Sequence, residues 1–196
     1  ERAQIHMVFI VVPRFNITTL ITMIETIRIA NYLAPTSAYS WEVASFDGSK
    51  ITASNGMTAT IKTATDNLRS AEFVFILGSW GTEHYRNPKL TAWLRKRARA
   101  GERICGVELG SYIVARAGLL DGKSATIHWS WLNGFKENFD RVEVEESLFT
   151  LDSKVMTCSG GLAGVDLMLR IIEEINGSSF SGEIADQMLH HPIRSA

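Results

Sequence analysis

Short apolar runs alternate along this chain with longer segments whose apolar residues recur at helical spacing. The apolar runs predict strands because they are short and rich in Val, Ile and Phe, and the first of them is closed by Pro13. They lie at residues 6–12, 39–46, 71–77, 104–107, 124–127, 142–144 and 148–157. A hairpin-like excursion is predicted at residues 51–61, after an Asp-Gly turn.

The segments between the strands predict helices. They lie at residues 17–33, 89–100, 111–120, 129–138, 163–175 and 178–189. Asn16 is placed as an N-cap of the first helix. Pro88 stands near the start of the second helix and Gly101 follows its end, which are the positions where these residue types are favoured.

Alternating strands and helices predict a mostly parallel sheet covered by helices on both faces. Ligand sites in such folds lie at the carboxyl ends of the strands, where this chain has the loops 13–15, 78–81 and 159–161. No internal repeat or low-complexity linker interrupts the pattern. Residues 1–196 therefore predict a single domain.

Composition agrees with one ordinary globular core and argues against a nucleic-acid surface. The chain has 196 residues, of which 45% are hydrophobic and 21% charged, and its formal net charge is -1. Its densest basic stretch, residues 95–99, falls within a predicted helix. A solvated helix face is the favoured interpretation of this stretch over nucleic-acid contact.

Cysteine and histidine usage predicts neither a disulfide framework nor a metal site. Cys105 and Cys158 lie in apolar strands, as reduced, buried thiols do. His190 and His191 lack partners at ligand spacing, so no metal or cofactor is expected. Neither a membrane-length apolar run nor the plan of a signal peptide is present, and a cytoplasmic location is expected.

The most informative segment is residues 103–110, an apolar strand that enters a G-x-E-x-G turn and then a helix. This is the outline of a nucleophile elbow, in which flanking glycines allow a tight, strained turn that lifts one side chain into a pocket. Glu108 occupies the position of the nucleophile. A carboxylate is a poor acyl acceptor but a good fixed charge, which favours ligand binding; a helix-capping or solvated glutamate is the alternative.

A longer motif indicates a family. Residues 115–129 resemble the A-x-A-G-L-L-D-G-x-x-A-T-x-H-W signature of amidotransferase-like (PfpI-like) domains at the front of AraC-type transcription regulators. The resemblance extends to Ser159-Gly160-Gly161 and to residues 163–167. It implies a flavodoxin-like three-layer sandwich of the class I glutamine amidotransferase type.

The resemblance also implies a domain that senses a small molecule and forms a homodimer, with DNA bound only by a separate C-terminal helix-turn-helix domain. That second domain is absent from this chain, which begins at Glu1 and ends after Arg194-Ser195-Ala196. We therefore expect an excised sensor domain.

Departures from the family pattern argue against catalysis. Enzymes of the wider superfamily carry a cysteine where this chain has Glu108, and Thr19 falls where the regulators commonly have an aspartate. His128 occupies the histidine of the signature but has no thiol to activate. Cys105 lies three residues before Glu108, within the strand, and does not replace the missing thiol.

The expected ligand is a small quaternary-ammonium metabolite such as betaine or carnitine, since the sequence also resembles the choline, betaine and carnitine regulators of this family. A fixed carboxylate beside aromatic rings suits such a cation. The predicted ligand-binding residues are Glu108, Leu109, Trp80, Ser79, His128, Trp129 and Phe15. Core or helix packing is the alternative for Trp129 and is the favoured interpretation for Trp131. Free amides at the start of the elbow helix or at Gly160-Gly161 are expected to hold a ligand carboxylate.

Two other functions stay open from the sequence. One is an active hydrolase or lyase in which Glu108 acts as general base with His128 as its partner. The other is a dimerisation module with an empty pocket, against which the retention of both glycines around Glu108 argues.

Overall fold

The computed structural model describes residues 4–34, 38–151, 154–191 and 193–196. The strands are β1 (Ile5–Val11), β2 (Tyr39–Ser45), β3 (Ile51–Thr52), β4 (Thr58–Ala59), β5 (Thr63–Ala64), β6 (Phe73–Gly78), β7 (Arg103–Glu108), β8 (Ser124–Ala125), β9 (Glu143–Val144), β10 (Phe149–Thr150) and β11 (Val155–Cys158). The α-helices are α1 (Ile17–Leu33), α2 (Pro88–Arg99), α3 (Gly110–Arg116), α4 (Leu132–Asn138), α5 (Ala163–Asn176) and α6 (Ser178–Gln187).

Seven strands form the central sheet in the order β10-β11-β7-β6-β1-β2-β5. All neighbouring pairs are parallel except β10 with β11, which are antiparallel at one edge. The predicted flavodoxin-like sandwich with a mostly parallel sheet is confirmed.

Both faces of the sheet are buried. Met7, Phe9 and Val11 of β1 join a core with α1, α5 and α6, whereas Val8 and Ile10 join a second core on the other face with α2, α3 and α4. Because successive side chains of a strand point to opposite faces, a continuously apolar run supplies both cores at once.

The starts of α1 and α2 follow the sequence signals closely. Asn16 caps α1, its side-chain oxygen accepting hydrogen bonds from the amides of Thr18 and Thr19 at 3.1 and 3.4 Å. Asn87 caps α2 in the same way, and Pro88 occupies the first turn, where its missing N–H costs nothing.

Several predicted boundaries are wrong. The elbow helix ends at Arg116 rather than at residue 120, and a tight turn with Gly118 at φ 75° follows. The single strand expected at 148–157 is the antiparallel pair β10 and β11, and residues 152 and 153 of that prediction lie outside the described residues. Strand β5 was not predicted, because two residues show no periodicity. The hairpin expected at 51–61 is present as β3 and β4.

The basic stretch of α2 is not a uniformly solvated face. Arg97 is buried, forms an ion pair with Glu102 and donates hydrogen bonds to the carbonyl oxygens of Leu68 and Arg69. It ties α2 to the loop before β6. In the described part of the chain, no helix is long and apolar enough to cross a membrane.

The topology brings the carboxyl ends of three strands together. β6 and β7 end side by side, with Gly78 opposite Glu108, and β11 ends beside β7, with Cys158 opposite Val107. The loops that follow these strands, and the loop after β1, therefore meet around Glu108.

Candidate functional site

The turn between β7 and α3 has the strained geometry of an elbow. Glu108 has φ 57°, a left-handed conformation that side chains other than glycine rarely adopt. A Cβ at Gly110 would lie 2.0 Å from the carbonyl oxygen of Ile76, and one at Gly106 would lie 2.7 Å from the Cα of Ser111. The two flanking glycines are therefore required by close backbone approaches.

The Glu108 carboxyl is buried and only partly hydrogen-bonded. Its Oε1 accepts from Asn16 Nδ2 at 3.1 Å and from the Gly161 amide at 3.3 Å. Its Oε2 has no hydrogen-bond partner among the described residues. Gly160, at φ 88°, packs directly on the side chain, since a Cβ there would lie 2.5 Å from that of Glu108.

Burial raises the pKa of Glu108 above its ordinary value, because desolvation disfavours the charged carboxylate. The Ser79 hydroxyl opposes this rise most, followed by the Asn16 amide, the charge of His128 and the Gly161 amide. The Ser79 hydroxyl faces the carboxyl but does not form a hydrogen bond with Oε2. Desolvation and the neighbouring donors thus act in opposite directions on the pKa of this carboxyl, and desolvation has the larger effect.

A cavity of about 640 Å³ opens above this carboxyl. Four of the predicted site residues line it: Glu108, Trp80, His128 and Trp129. Trp80 packs edge-on against His128, with ring centroids 4.7 Å apart, and the rings of His128 and Trp129 are 5.7 Å apart. Trp129 is 70% exposed and Trp80 43%, so both rings have surface available to a ligand.

The hydrogen bonds of His128 select one of its neutral tautomers. The Ser130 amide donates to His128 Nδ1 at 3.3 Å, and the Ser130 hydroxyl lies 2.8 Å from the same nitrogen. An Nδ1 that accepts a backbone N–H carries no proton itself, so a neutral His128 has its proton on Nε2.

Three predicted site residues do not line the cavity. Phe15 is fully buried in the core beside α1, because the turn after β1, with the Phe15 amide on the Val12 carbonyl, directs its ring inward. Leu109 is buried in the opposite core. Ser79 is buried beside Glu108 rather than at the wall. The prediction that Phe15 belongs to an aromatic cage is therefore wrong.

Two of the amides expected to hold a ligand carboxylate are already engaged within the protein. The Leu109 amide donates to the Gly78 carbonyl at 3.1 Å, and the Gly161 amide donates to Glu108. Trp131 packs into the core against Tyr112, with centroids 6.4 Å apart, although it also contacts Trp80.

Sequence reasoning missed several residues of the site, among them Asn16, Glu146 and Arg194. Asn16 was identified only as a helix cap, but its Nδ2 also binds Glu108. Glu146 and Arg194 line the cavity from distant parts of the chain. Arg194 is held there by the buried carboxylate of Asp166, with Nη2 2.8 Å and Nε 3.1 Å from Oδ2. Only the Asn16 cap carried a local sequence signal.

Neither cysteine is placed to react. Cys105 and Cys158 are free and fully buried. Burial raises the pKa of the Cys158 thiol to about 12 and also raises that of Cys105, so both stay protonated at neutral pH. The expectation of inert, reduced thiols agrees with this environment.

Comparison with known proteins gives the site its context. The chain is 33% identical over 186 residues to the HTH-type transcriptional regulator CdhR of Pseudomonas aeruginosa, covering 95% of this chain and 55% of that protein. It is 34% identical over 187 residues to the HTH-type transcriptional regulator GbdR of the same species, covering 95% and 51%. This chain therefore spans about half the length of these relatives. A more distant match is an enzyme, the isonitrile hydratase of Pseudomonas putida, at 24% identity over 143 residues, covering 72% of this chain and 62% of that protein.

Among solved structures, an AraC family transcriptional regulator from Pseudomonas putida has the same fold, with a TM-score of 0.86 at 19% identity over 94% of this chain and 99% of that one. The pattern of the DJ-1/PfpI family matches residues 14–174. This match spans strands β2 to β11 and the elbow that presents Glu108. The chain belongs to the DJ-1/PfpI family.

Proposed function

We propose that this chain is the ligand-sensing domain of an AraC-type transcription regulator, and that it binds a small quaternary-ammonium metabolite without transforming it. One observation carries the proposal: a buried carboxylate occupies the elbow beneath a cavity lined by Trp80, His128 and Trp129. Betaine and carnitine are the ligands that we expect.

The charges around the cavity favour a cation. Glu108 and Glu146 both line it, whereas the charge of Arg194 is matched by Asp166. An ammonium group is also attracted to aromatic faces, by about 0.5 to 2 kcal/mol per contact. The Glu108 carboxylate and the aromatic rings of the cavity would thus both attract the ammonium group of the ligand.

The other end of a zwitterion requires a positive group. Since the Leu109 and Gly161 amides are engaged within the protein, Arg194 is the better candidate for the ligand carboxylate. Its side chain lines the cavity and is 46% exposed, although it also contacts Asp166. Arginine can form hydrogen bonds to two carboxylates through different N–H groups.

The absence of catalysis is proposed from the nucleophile position. The elbow presents a carboxylate, and the two cysteine thiols are buried with raised pKa values. A carboxylate held by Asn16 and Gly161 is suited to fixed binding. We further propose that the regulator is a cytoplasmic homodimer. We also propose that it contacts DNA through a helix-turn-helix domain outside this chain, since the two relatives are named HTH-type transcriptional regulators.

Isothermal titration calorimetry with glycine betaine, carnitine and choline tests the proposal. We expect saturable binding of at least one of them, lost or strongly reduced in Glu108→Gln. Trp129→Ala should weaken binding about 2- to 30-fold, the range of one cation–π contact. Tyr32→Ala is the matched control, because Tyr32 is 74% exposed and does not line the cavity. Absence of binding by all three ligands would refute the proposed ligand class.

A lyase or hydrolase is the second candidate function. It is favoured by the match to isonitrile hydratase and by the charge interaction of His128 with Glu108. The two functions differ in an observable way, because only an enzyme consumes its ligand. Mass spectrometry of the ligand during incubation measures whether it is consumed. Consumption that depends on Glu108 would refute the sensor proposal and support an enzyme.

A further inference from the structure

A second concave site lies at the opposite end of the sheet from Glu108, beside the start of β7 and β11. Its cavity of about 380 Å³ is lined by four basic side chains, those of Arg95, Arg99, Lys123 and Lys154. We call this site the basic cavity. Arg95 and Arg99 stand one turn apart on α2, and the two lysines come from the segments that lead into β8 and β11.

Among the described residues, no carboxylate balances the charge of the basic cavity. The one acidic side chain among the described residues that line it is Glu102, which accepts hydrogen bonds from Arg97 and from the Ala71 amide. Glu102 is therefore already neutralised by Arg97, which lies outside the cavity lining. Within the described ranges, none of the four basic side chains forms an ion pair.

Helix capping accounts for only part of this cluster. Lys123 Nζ donates to the Leu119 carbonyl at 3.2 Å, and Arg99 stands in the last turn of α2, where cations are favoured by the helix dipole. Lys154, however, belongs to no helix and is exposed at the entrance to β11. Four like charges around one concavity repel one another, and an anion bound between them offsets this repulsion.

We propose that the basic cavity binds a phosphate group. Arginine recognises phosphate oxygens through paired N–H groups, and lysine adds a compact charge. The volume suits a small organic phosphate or a phosphate of a nucleic-acid backbone, and both present the same chemistry. The site is separate from the cavity above Glu108, so this proposal does not depend on the proposed function.

Titration with pyrophosphate tests the site, and binding is measured by calorimetry and by shifts of the amide NMR signals. We expect saturable binding with shifts around Arg99 and Lys154, and at least tenfold weaker binding in the double variant Arg99→Ala/Lys154→Ala. The control is Lys62→Ala/Lys89→Ala, which removes the same charge at exposed positions outside the cavity and should change affinity less than twofold. Thermal unfolding of both variants checks that the fold is intact.

A short duplex DNA of random sequence distinguishes the two sources of phosphate. If the backbone is the ligand, the duplex binds more tightly than pyrophosphate and its affinity falls steeply with salt. If a free phosphate compound is the ligand, the duplex binds more weakly than pyrophosphate, and pyrophosphate displaces it from the basic cavity. Equal loss of pyrophosphate binding in both double variants, or no saturable binding of either probe, would overturn the proposal.

Discussion

The contact between Asn16 and Glu108 gives the sharpest test of the site, through the substitution Asn16→Asp. The change keeps a good helix cap but places a second carboxylate about 3 Å from Glu108 Oε1, where the amide Nδ2 stands at 3.1 Å. At an effective dielectric constant of about 20, two charges at that distance repel by about 5 kcal/mol. Taking up one proton relieves this repulsion.

Protonation limits the cost and gives it a pH dependence. Holding one carboxyl of the pair protonated at pH 7 costs at most about 4 kcal/mol, the value for an ordinary pKa near 4.3, because the pKa of Glu108 is already raised; this is less than the repulsion. The pair therefore has a raised pKa, and above pH 4.3 the folded state holds more protons than the unfolded state. Its stability falls by about 1.4 kcal/mol per pH unit as pH rises, up to the raised pKa.

Urea unfolding followed by tryptophan fluorescence measures these terms at pH 5 and pH 7. We expect Asn16→Asp to lose up to about 4 kcal/mol at pH 7 and up to about 1 kcal/mol at pH 5. Asn16→Ser, which keeps a cap and adds no charge, should lose about 1 to 2 kcal/mol at both. In the double variant Asn16→Asp/Glu108→Gln, most of the extra loss should disappear. Losses that are equal for Asn16→Asp and Asn16→Ser, or unchanged by Glu108→Gln, would refute this account of the site.

Three further predictions concern the elbow and the chain that surrounds it. Gly110→Ala should destabilise the protein by more than about 3 kcal/mol in thermal unfolding, since its Cβ would lie 2.0 Å from a main-chain oxygen of β6. Gly182→Ala is the control and should be neutral or stabilising, because there is open space around Gly182 in α6. Equal effects of the two substitutions would contradict the packing argument. Glu108→Gln should flatten the pH dependence of the free energy of unfolding. The raised pKa of Glu108 contributes stability that is fully present below pH 4.5 and is lost as the pH rises through the pKa of the folded state. An unchanged pH profile in this variant would be inconsistent with a raised pKa. Asp166→Asn should lower the free energy of unfolding in urea by about 2 to 4 kcal/mol and release Arg194 from the cavity. Faster hydrogen exchange of the C-terminal segment would detect this release, and unchanged exchange would contradict the anchoring role of Asp166.

The sequence predicted the fold well because the relevant signals are local. Continuous apolar runs such as that of β1 require a strand buried on both faces, and Asn16 followed by helical periodicity fixed the start of α1. The G-x-E-x-G spacing likewise predicted the elbow, whose glycines are required by short backbone distances. Errors fell on two-residue strands such as β5 and β10, which are too short to show a period.

The sequence by itself therefore determined the sandwich and the strained turn that presents Glu108. Only the tertiary structure decided what surrounds that carboxyl: Asn16 and Gly161 as its donors, and Arg194 at the cavity wall. The same holds for Phe15, which a loop position suggested for the site but which its turn directs into the core. These contacts join residues distant in sequence, and they depend on strand order and loop direction, which no local spacing encodes.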